Sequence, residues 1–384
     1  MAFIVGFAVN FDYFSFAGGL SIVSLIIICY FFFVLSSFKV KTINKADYKF
    51  IWPPIIYLFI LMVLNVFNLN SVNSSIVPIS FVFCLLLFFV VFIHVKNDSK
   101  SVVYITNGVA LGGIAMTICF NLGVGVEYES NRLTMFGGNP NNLGCFMCVT
   151  AVIVLYSYIL KDSFHLRAIR FLFIPLLLPI FQVVFATASR TAFLTLALVI
   201  LLSFLFVPVK KKITKVLLII VFAIIVCISY KSLEDYETLY ARLFLLAEGE
   251  DISSGREGRW EQLLLIAKQN PFGIGQTGYS EVAQRLFSSA DIEGYASPHN
   301  VLIEVLLYTG LGGLFLMSFF WFHIFNRTRQ YLKENNDLLL LLIMVVFLIQ
   351  MLFGQLLIFR TAWLFWGVIA GSTISGTRLY KRLA

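Results

Sequence analysis

Long apolar runs constrain this chain more than any other feature. "SIVSLIIICYFFFVLSS" and "LLLLLIMVVFLIQMLFG" each approach the roughly 20 apolar residues that a helix needs to cross the hydrocarbon of a bilayer. A backbone in that slab has no water to bond, so it must satisfy its own amides, which a helix does. Of 384 residues, 60% are hydrophobic and only 12% are charged, about half the charge of an ordinary soluble domain. The chain is therefore expected to be an all-α polytopic membrane protein. The formal charge of +8, which in a soluble protein would suggest nucleic acid, instead fits a bias of basic residues toward one side of a membrane; no nucleic-acid partner is expected.

Hydropathy places helices at 15–36, 51–70, 77–95, 102–121, 142–161, 171–188, 191–207, 216–230, 300–322, 337–356 and 361–376. These are eleven spans, or twelve if residues 1–14 form a further short or re-entrant one, in a single membrane domain covering 1–384. Six connecting segments hold 19 of the 28 Lys and Arg residues: "FKVKTINKADYK", "KNDSKS", "KDSFHLRAIR", "PVKKKITK", "HIFNRTRQYLKEN" and "GTRLYKRLA". Every second loop is basic, which assigns these six to the cytoplasm. The opposite loops are short except 122–141 and the large extracytoplasmic loop 231–299, which can build its own helical cap. Within it "GREGRWEQLLLIAKQN" reads as an amphipathic helix with Trp260, Leu263, Leu264 and Ala267 on one face. "NPFGIGQTGY" reads as a helix stop and turn. The N-terminal "MAFIVGFAVNFDYF" lacks a basic n-region and a small-residue cleavage site and is expected to be retained. All six cysteines fall in apolar segments, so no disulfide framework is expected, and Cys145 and Cys148 read as small apolar helix residues.

Outside the long loop, the non-cytoplasmic side carries three basic residues: Arg132, Arg190 and Arg360. Arg190 lies in "ATASRTAF", a tight hairpin between two spans. An arginine at membrane depth costs about 2.5–3.5 kcal/mol on insertion scales and generally has a partner or a function. The long loop holds six basic and eleven acidic residues, so any anion site in it must be local. Arg256 and Arg259 stand one helical turn apart near a helix start, where guanidinium forks and free backbone amides both suit phosphate oxygens. His299 is the one histidine of four on this side, at the point where the loop re-enters the membrane. A neutral imidazole there can accept a proton from an attacking hydroxyl. There is no HExxH, Asp-x-Asp, P-loop or GxSxG pattern, which turns the expectation toward arginine electrostatics without a metal or cofactor.

Four segments, in order, resemble the O-antigen ligase and O-antigen polymerase superfamily: "NRLTMFGGNPNNLG", "SRTAFLTLAL", "SGREGRWEQLLLIAKQNPFGIGQTGY" and "HNVLIEVLLYTGLGGLF". The resemblance implies an integral membrane glycosyltransferase, working without a metal, that uses a glycan on undecaprenyl diphosphate at the periplasmic side of the bacterial inner membrane. By the same resemblance, Arg190 and Arg256 bind the donor diphosphate and His299 contacts or deprotonates the acceptor hydroxyl. Arg132, Asn139, Asn141, Arg259, Asn300 and Arg360 are candidate substrate-binding residues. Membrane lipids, a chain-length regulator and a flippase are the implied partners. The leading expectation is polymerisation of lipid-linked repeat units into O-antigen or a related surface polysaccharide. The alternative is a ligase that moves finished glycan onto lipid A–core. A lipid-linked oligosaccharide flippase is less favoured, because the spans are nearly free of charge while polar residues gather in the long loop. The alternation of basic loops carries a direct prediction: a topology reporter fused after Lys212 should report cytoplasm, and one placed within Ser288–Glu293 the other side. The same side for both would remove the shared face on which Arg190, Arg256 and His299 depend.

Overall fold

The computed structural model describes residues 1–12, 21–38, 43–67, 76–129, 131–161, 173–206, 256–286 and 298–372, with positions 219 and 223. The expected span 216–230 and His165 lie outside the described residues. Helices form where hydropathy puts them: α1 (Ala2–Ala8), α2 (Ile22–Ser37), α3 (Tyr48–Phe67), α4 (Ile76–Asn97), α5 (Ser101–Asn121), α6 (Pro140–Ile153, continuing as a π-helix over Val154–Leu160), α7 (Leu177–Ala186) and α8 (Arg190–Phe206). They are followed by α9 (Arg256–Gln269), α10 (Gly275–Leu286), α11 (Val301–Asn335), α12 (Leu339–Phe353) and α13 (Arg360–Gly371). Five of these segments are long and apolar enough to cross a membrane by length and composition, and the chain is an α-helical polytopic membrane protein.

Caps fix several starts. The Asn139 side chain accepts from Asn141 N–H at 2.8 Å, and Pro140 follows in the first helical position of α6, where its missing N–H is not needed. Ser21 Oγ accepts from Ser24 N–H to open α2. Residues 1–12 enter the bundle as the short extra element expected of them. α1 and a 3-10 turn over Val9–Phe11 lie on α5 at van der Waals distance, because a Cβ on Gly6 or Gly108 would strike the backbone of Ile105 or Phe3. Close backbone approach of this kind is how helices gain dispersion energy in an apolar solvent. The interior around α13 is aromatic: Trp363 lies 4.9 Å from Trp366, 5.1 Å from Phe81 and 5.7 Å from Phe320, centroid to centroid.

The end of the bundle that carries the basic loops is closed by charge. Lys96 pairs with Asp47, Lys161 with Asp337 at 2.5 Å, and Arg327 donates to the Ser372 carbonyl. The Lys161–Asp337 pair sets α12 to start at this end. α12 has 15 residues, about 22 Å at 1.5 Å per residue, against a hydrocarbon core of about 30 Å. It therefore stops short of the opposite boundary. The non-helical link 354–359 that follows is packed inside protein, with Leu356, Leu357 and Phe359 buried, as irregular backbone at membrane depth requires.

Three expectations change at the end opposite the basic loops. Loop 122–141 contains a β-hairpin, β1 (Val126–Glu129) and β2 (Arg132–Met135), antiparallel with Glu129 opposite Arg132 and Val126 opposite Met135. It is the one non-helical element among the described residues. "NPFGIGQTGY" is a stop and turn only through Ile274; Gly275 then opens α10, whose first amides are received by Asn65 Oδ1 of α3, 2.7 Å from Gln276 N. The expected helix 300–322 runs on to Asn335 but breaks at Gly310 (φ +66°, ψ −162°). The turn 270–274 fills the break. Ile274 N–H donates to Leu307 O at 2.8 Å, and Leu311 N–H to Pro271 O at 2.9 Å. Gly273 (φ +87°) meets Gly310 backbone to backbone; a Cβ on Gly310 would lie 2.2 Å from Pro271 O, and one on Gly273 2.6 Å from Gly310 N. Left-handed backbone alone costs an L-residue roughly 1–2 kcal/mol, and the overlap adds to it. Gly310→Ala and Gly273→Ala should each lower the unfolding temperature and folded yield in detergent, whereas Gly312→Ala, with open space at its Cβ, should not; equal behaviour of all three would mean the interlock contributes nothing.

Candidate functional site

Arg190 is the first residue of α8, after a three-residue hairpin from α7. The hairpin is tied by its own side chains: Thr187 Oγ1 donates to Val184 O at 2.7 Å, and Ser189 Oγ accepts from Ala192 N–H at 3.3 Å. Ala188 between them is left-handed (φ +46°). Arg132 of β2 reaches across to this hairpin. Its Nε donates to Thr187 O at 3.1 Å and its Nη2 to Asn141 Oδ1 at 2.8 Å. Asn139 caps the same α6 turn. Arg132, Asn139 and Asn141 are thus tied to the Thr187 turn, and half-buried Arg190 follows three residues later, at the start of α8.

The second half of the site is built by the long loop. α9 begins at Arg256 and buries Leu263 and Ala267. Leu264, expected on that face, is instead 46% exposed; it lies past the edge of the buried stripe, which is only Leu263–Ala267 wide. Trp260 Nε1 donates to Pro298 O at 2.9 Å, which ties α9 to the residue preceding His299. His299 is left-handed (φ +53°), a conformation in which histidine is more common than most residues. Asn300 then caps α11, its Oδ1 accepting from Leu302 and Ile303 N–H at 3.0 and 3.2 Å. The amide oxygen of this candidate binding residue is therefore engaged in the cap. Arg259, one turn after Arg256, lies in the electrostatic range of Tyr279 on α10.

The last turn of α12 touches both halves. Gln350 Nε2 donates to Asn141 O at 3.2 Å, and the Phe353 ring lies 6.4 Å from Trp260. Gln350 could not be singled out from sequence as a connector, since it lies in an apolar helical run, and Trp260 was read only as part of the α9 apolar face.

Arg360 has a different setting. At the start of α13 it pairs with Asp12 and donates to Ser21 Oγ at 2.7 Å and Ser24 Oγ at 2.9 Å, with the Phe83 ring 5.5 Å away. These contacts bind α13 to the N-terminal segment and α2. The clue was present: Asp12 is a lone acid in "MAFIVGFAVNFDYF", and an acid in such a run needs a cation.

The fold and the described contacts define a class: a polytopic helical membrane protein with Arg190 and Arg360 at helix starts and His299 just ahead of the Asn300 cap. Residues 174–318 match the O-antigen ligase family, which supports the resemblance to the O-antigen ligase superfamily. The ComP-specific O-oligosaccharyltransferase of Acinetobacter baylyi (strain ATCC 33305 / BD413 / ADP1) is 24% identical over 230 residues, which is 58% of this chain and 40% of that protein. The chain thus matches less than half the length of this curated relative. Both comparisons point to a membrane enzyme of the glycosyltransferase type.

Removing one partner of a buried ion pair strands the other, at about 3–5 kcal/mol. Arg360→Ala should therefore sharply reduce folded protein, and Asp12→Asn combined with Arg360→Ala should recover part of it, read by size-exclusion yield and thermal unfolding. Arg360→Ala protein that folds normally would overturn the anchoring role.

Proposed function

We propose that the chain transfers an oligosaccharide from a polyprenyl-diphosphate donor to a hydroxyl oxygen of a separate acceptor, a ligase-type reaction at the periplasmic face of the inner membrane. The observation that carries this reading is the O-antigen ligase match over 174–318, which contains Arg190, Arg256, Arg259, His299 and Asn300. The Acinetobacter relative, a ComP-specific O-oligosaccharyltransferase, points the same way. Ligase-type transfer is thus better supported than the polymerisation expected from sequence.

In this reading the acceptor oxygen attacks the anomeric carbon of the donor sugar, the bond from that carbon to the diphosphate breaks, and the acceptor proton passes to His299. Negative charge grows on the departing diphosphate. Arg190 and Arg256 offer guanidinium forks to it from two helix starts, where backbone amides also face outward. Fixed donors in a site with little water stabilise such charge better than solvent does. Arg132 supports the reaction indirectly, by holding the Thr187 turn that sets the start of α8.

Arg190→Ala and Arg256→Ala should each abolish or strongly reduce transfer and weaken donor binding while the protein remains folded, and lysine should rescue poorly. His299→Ala should lose about 10²–10⁴-fold in turnover with donor binding kept. Purified protein in nanodiscs, given a prenyl-diphosphate-linked glycan and a separate hydroxyl acceptor, decides the reaction type. Acceptor-linked glycan is the expected product; a ladder of longer lipid-linked glycan without acceptor product would restore polymerisation.

A further inference from the structure

Phe272 is 84% exposed, at the tip of the turn between α9 and α10. What surrounds so open a ring depends on the depth of the turn, and two helices measure that depth. Along α11, Trp260 of α9 donates to Pro298 O at 2.9 Å, and Gly273 meets Gly310 backbone to backbone. α9 therefore descends beside the first turns of α11. Gly310 is 13 residues before His323, where the basic segment begins, or about 20 Å at 1.5 Å per residue. The hydrocarbon core is roughly 30 Å thick, so Gly310 lies within it. Along α3, the Phe50 ring lies 6.2 Å from that of His323, and a Cβ on Gly313 would lie 3.3 Å from the Tyr57 ring, in the middle of the helix. A Cβ on Gly275 would meet Asn65 at 2.7 Å, before α3 ends at Phe67. Both helices put the turn 270–274 inside the slab.

The exposed face agrees with the depth. Leu311, Phe315, Phe319 and Phe322 are all exposed, and a spacing of i, i+4, i+8 and i+11 makes them one stripe of α11. In a spanning helix such a stripe faces lipid. Leu311 N–H donates to Pro271 O at 2.9 Å, so Phe272 continues the stripe across the break. Leu264 and Leu265 of α9 are exposed as well. Lys268, exposed one turn before Phe272, has a stem long enough to carry its charge toward the headgroups. Irregular backbone at this depth needs partners within the protein. Pro271 has no N–H, Gly273 N–H donates to Asn270 O at 2.9 Å, and Ile274 N–H donates to Leu307 O at 2.8 Å.

We propose that α9, the turn 270–274 and α10 form a re-entrant hairpin that dips into the leaflet opposite the basic loops, with Phe272 against acyl chains. Part of the long loop expected outside the membrane is then inside it, and its partner is lipid hydrocarbon rather than a second copy of the chain. This placement goes beyond the transfer reading and does not depend on it.

The experiment uses the full chain in phospholipid nanodiscs. p-Benzoylphenylalanine in place of Phe272 should give phospholipid adducts on irradiation, read by mass spectrometry, at a level close to that obtained with the same replacement of Phe315 on the α11 stripe. Phe272→Leu should leave the unfolding temperature unchanged. Phe272→Asp should lower it and reduce the folded yield, because a carboxylate in hydrocarbon is costly, whereas on a solvated turn the same change is close to neutral. The crosslink is read on folded protein and decides the matter if Phe272→Asp yields none. Adducts to protein alone, no lipid adduct at position 272 where position 315 gives one, or Phe272→Asp as stable as Phe272→Leu would each overturn the proposal.

Discussion

The backbone contact between Gly273 and Gly310 is the constraint on which the site depends. A long loop above a membrane has little reason to hold one position, and α9 by itself buries only a narrow stripe. The break in α11 accepts the turn 270–274 and satisfies the amides of both partners, Ile274 on Leu307 and Leu311 on Pro271. One side of this joint leads back along α9 to Arg256, and the other leads up α11 to Asn300 and His299. The helices that begin at Arg256 and just after His299, 43 positions apart, are thereby joined at this contact. A side chain larger than hydrogen at either glycine would separate the surfaces that meet there.

α10 and α11 meet α3, where Asn65 receives the Gln276 amide, and α9 meets the last turn of α12. Gln350 holds the α6 turn that Arg132 also holds, and Phe353 lies against Trp260. Arg190 starts α8 and His299 precedes the Asn300 cap of α11, and both starts are set by side-chain hydrogen bonds, from Ser189 and Asn300. The same design appears at Arg360, where the partners Asp12, Ser21 and Ser24 turn an arginine toward cohesion of the bundle. Type and position alone therefore do not separate a ligand-facing arginine from an anchoring one; the bonds around it do.

The sequence made most of the fold legible because a bilayer leaves few options. Apolar runs near the required length become helices, and α3 through α6, α8 and α12 fall where hydropathy places them. Among the described residues, two of the basic segments are tied down by ion pairs, Lys96–Asp47 and Lys161–Asp337. What could not be read depends on tertiary contact. The hairpin 126–135 is short and half polar and has no strong strand pattern. The break at Gly310 is invisible in "VLIEVLLYTGLGGLF", since a glycine is common in spanning helices and only the Pro271 carbonyl that bonds Leu311 opens the helix there. Leu264 was placed on the wrong side of α9 because a turn of helix resolves faces only to within one residue. Arg190 and His299 were legible as rare polar residues beside apolar runs, and Arg256 as half of an arginine pair near an expected helix start.

The early end of α12 has a consequence for how the chain can vary. The link 354–359 is irregular backbone inside the protein, with Leu356, Leu357 and Phe359 buried, so its polar groups have only protein to bond. An inserted residue there would strand an amide or displace Arg360 from Asp12, and changes of length are therefore expected in surface loops rather than in this link.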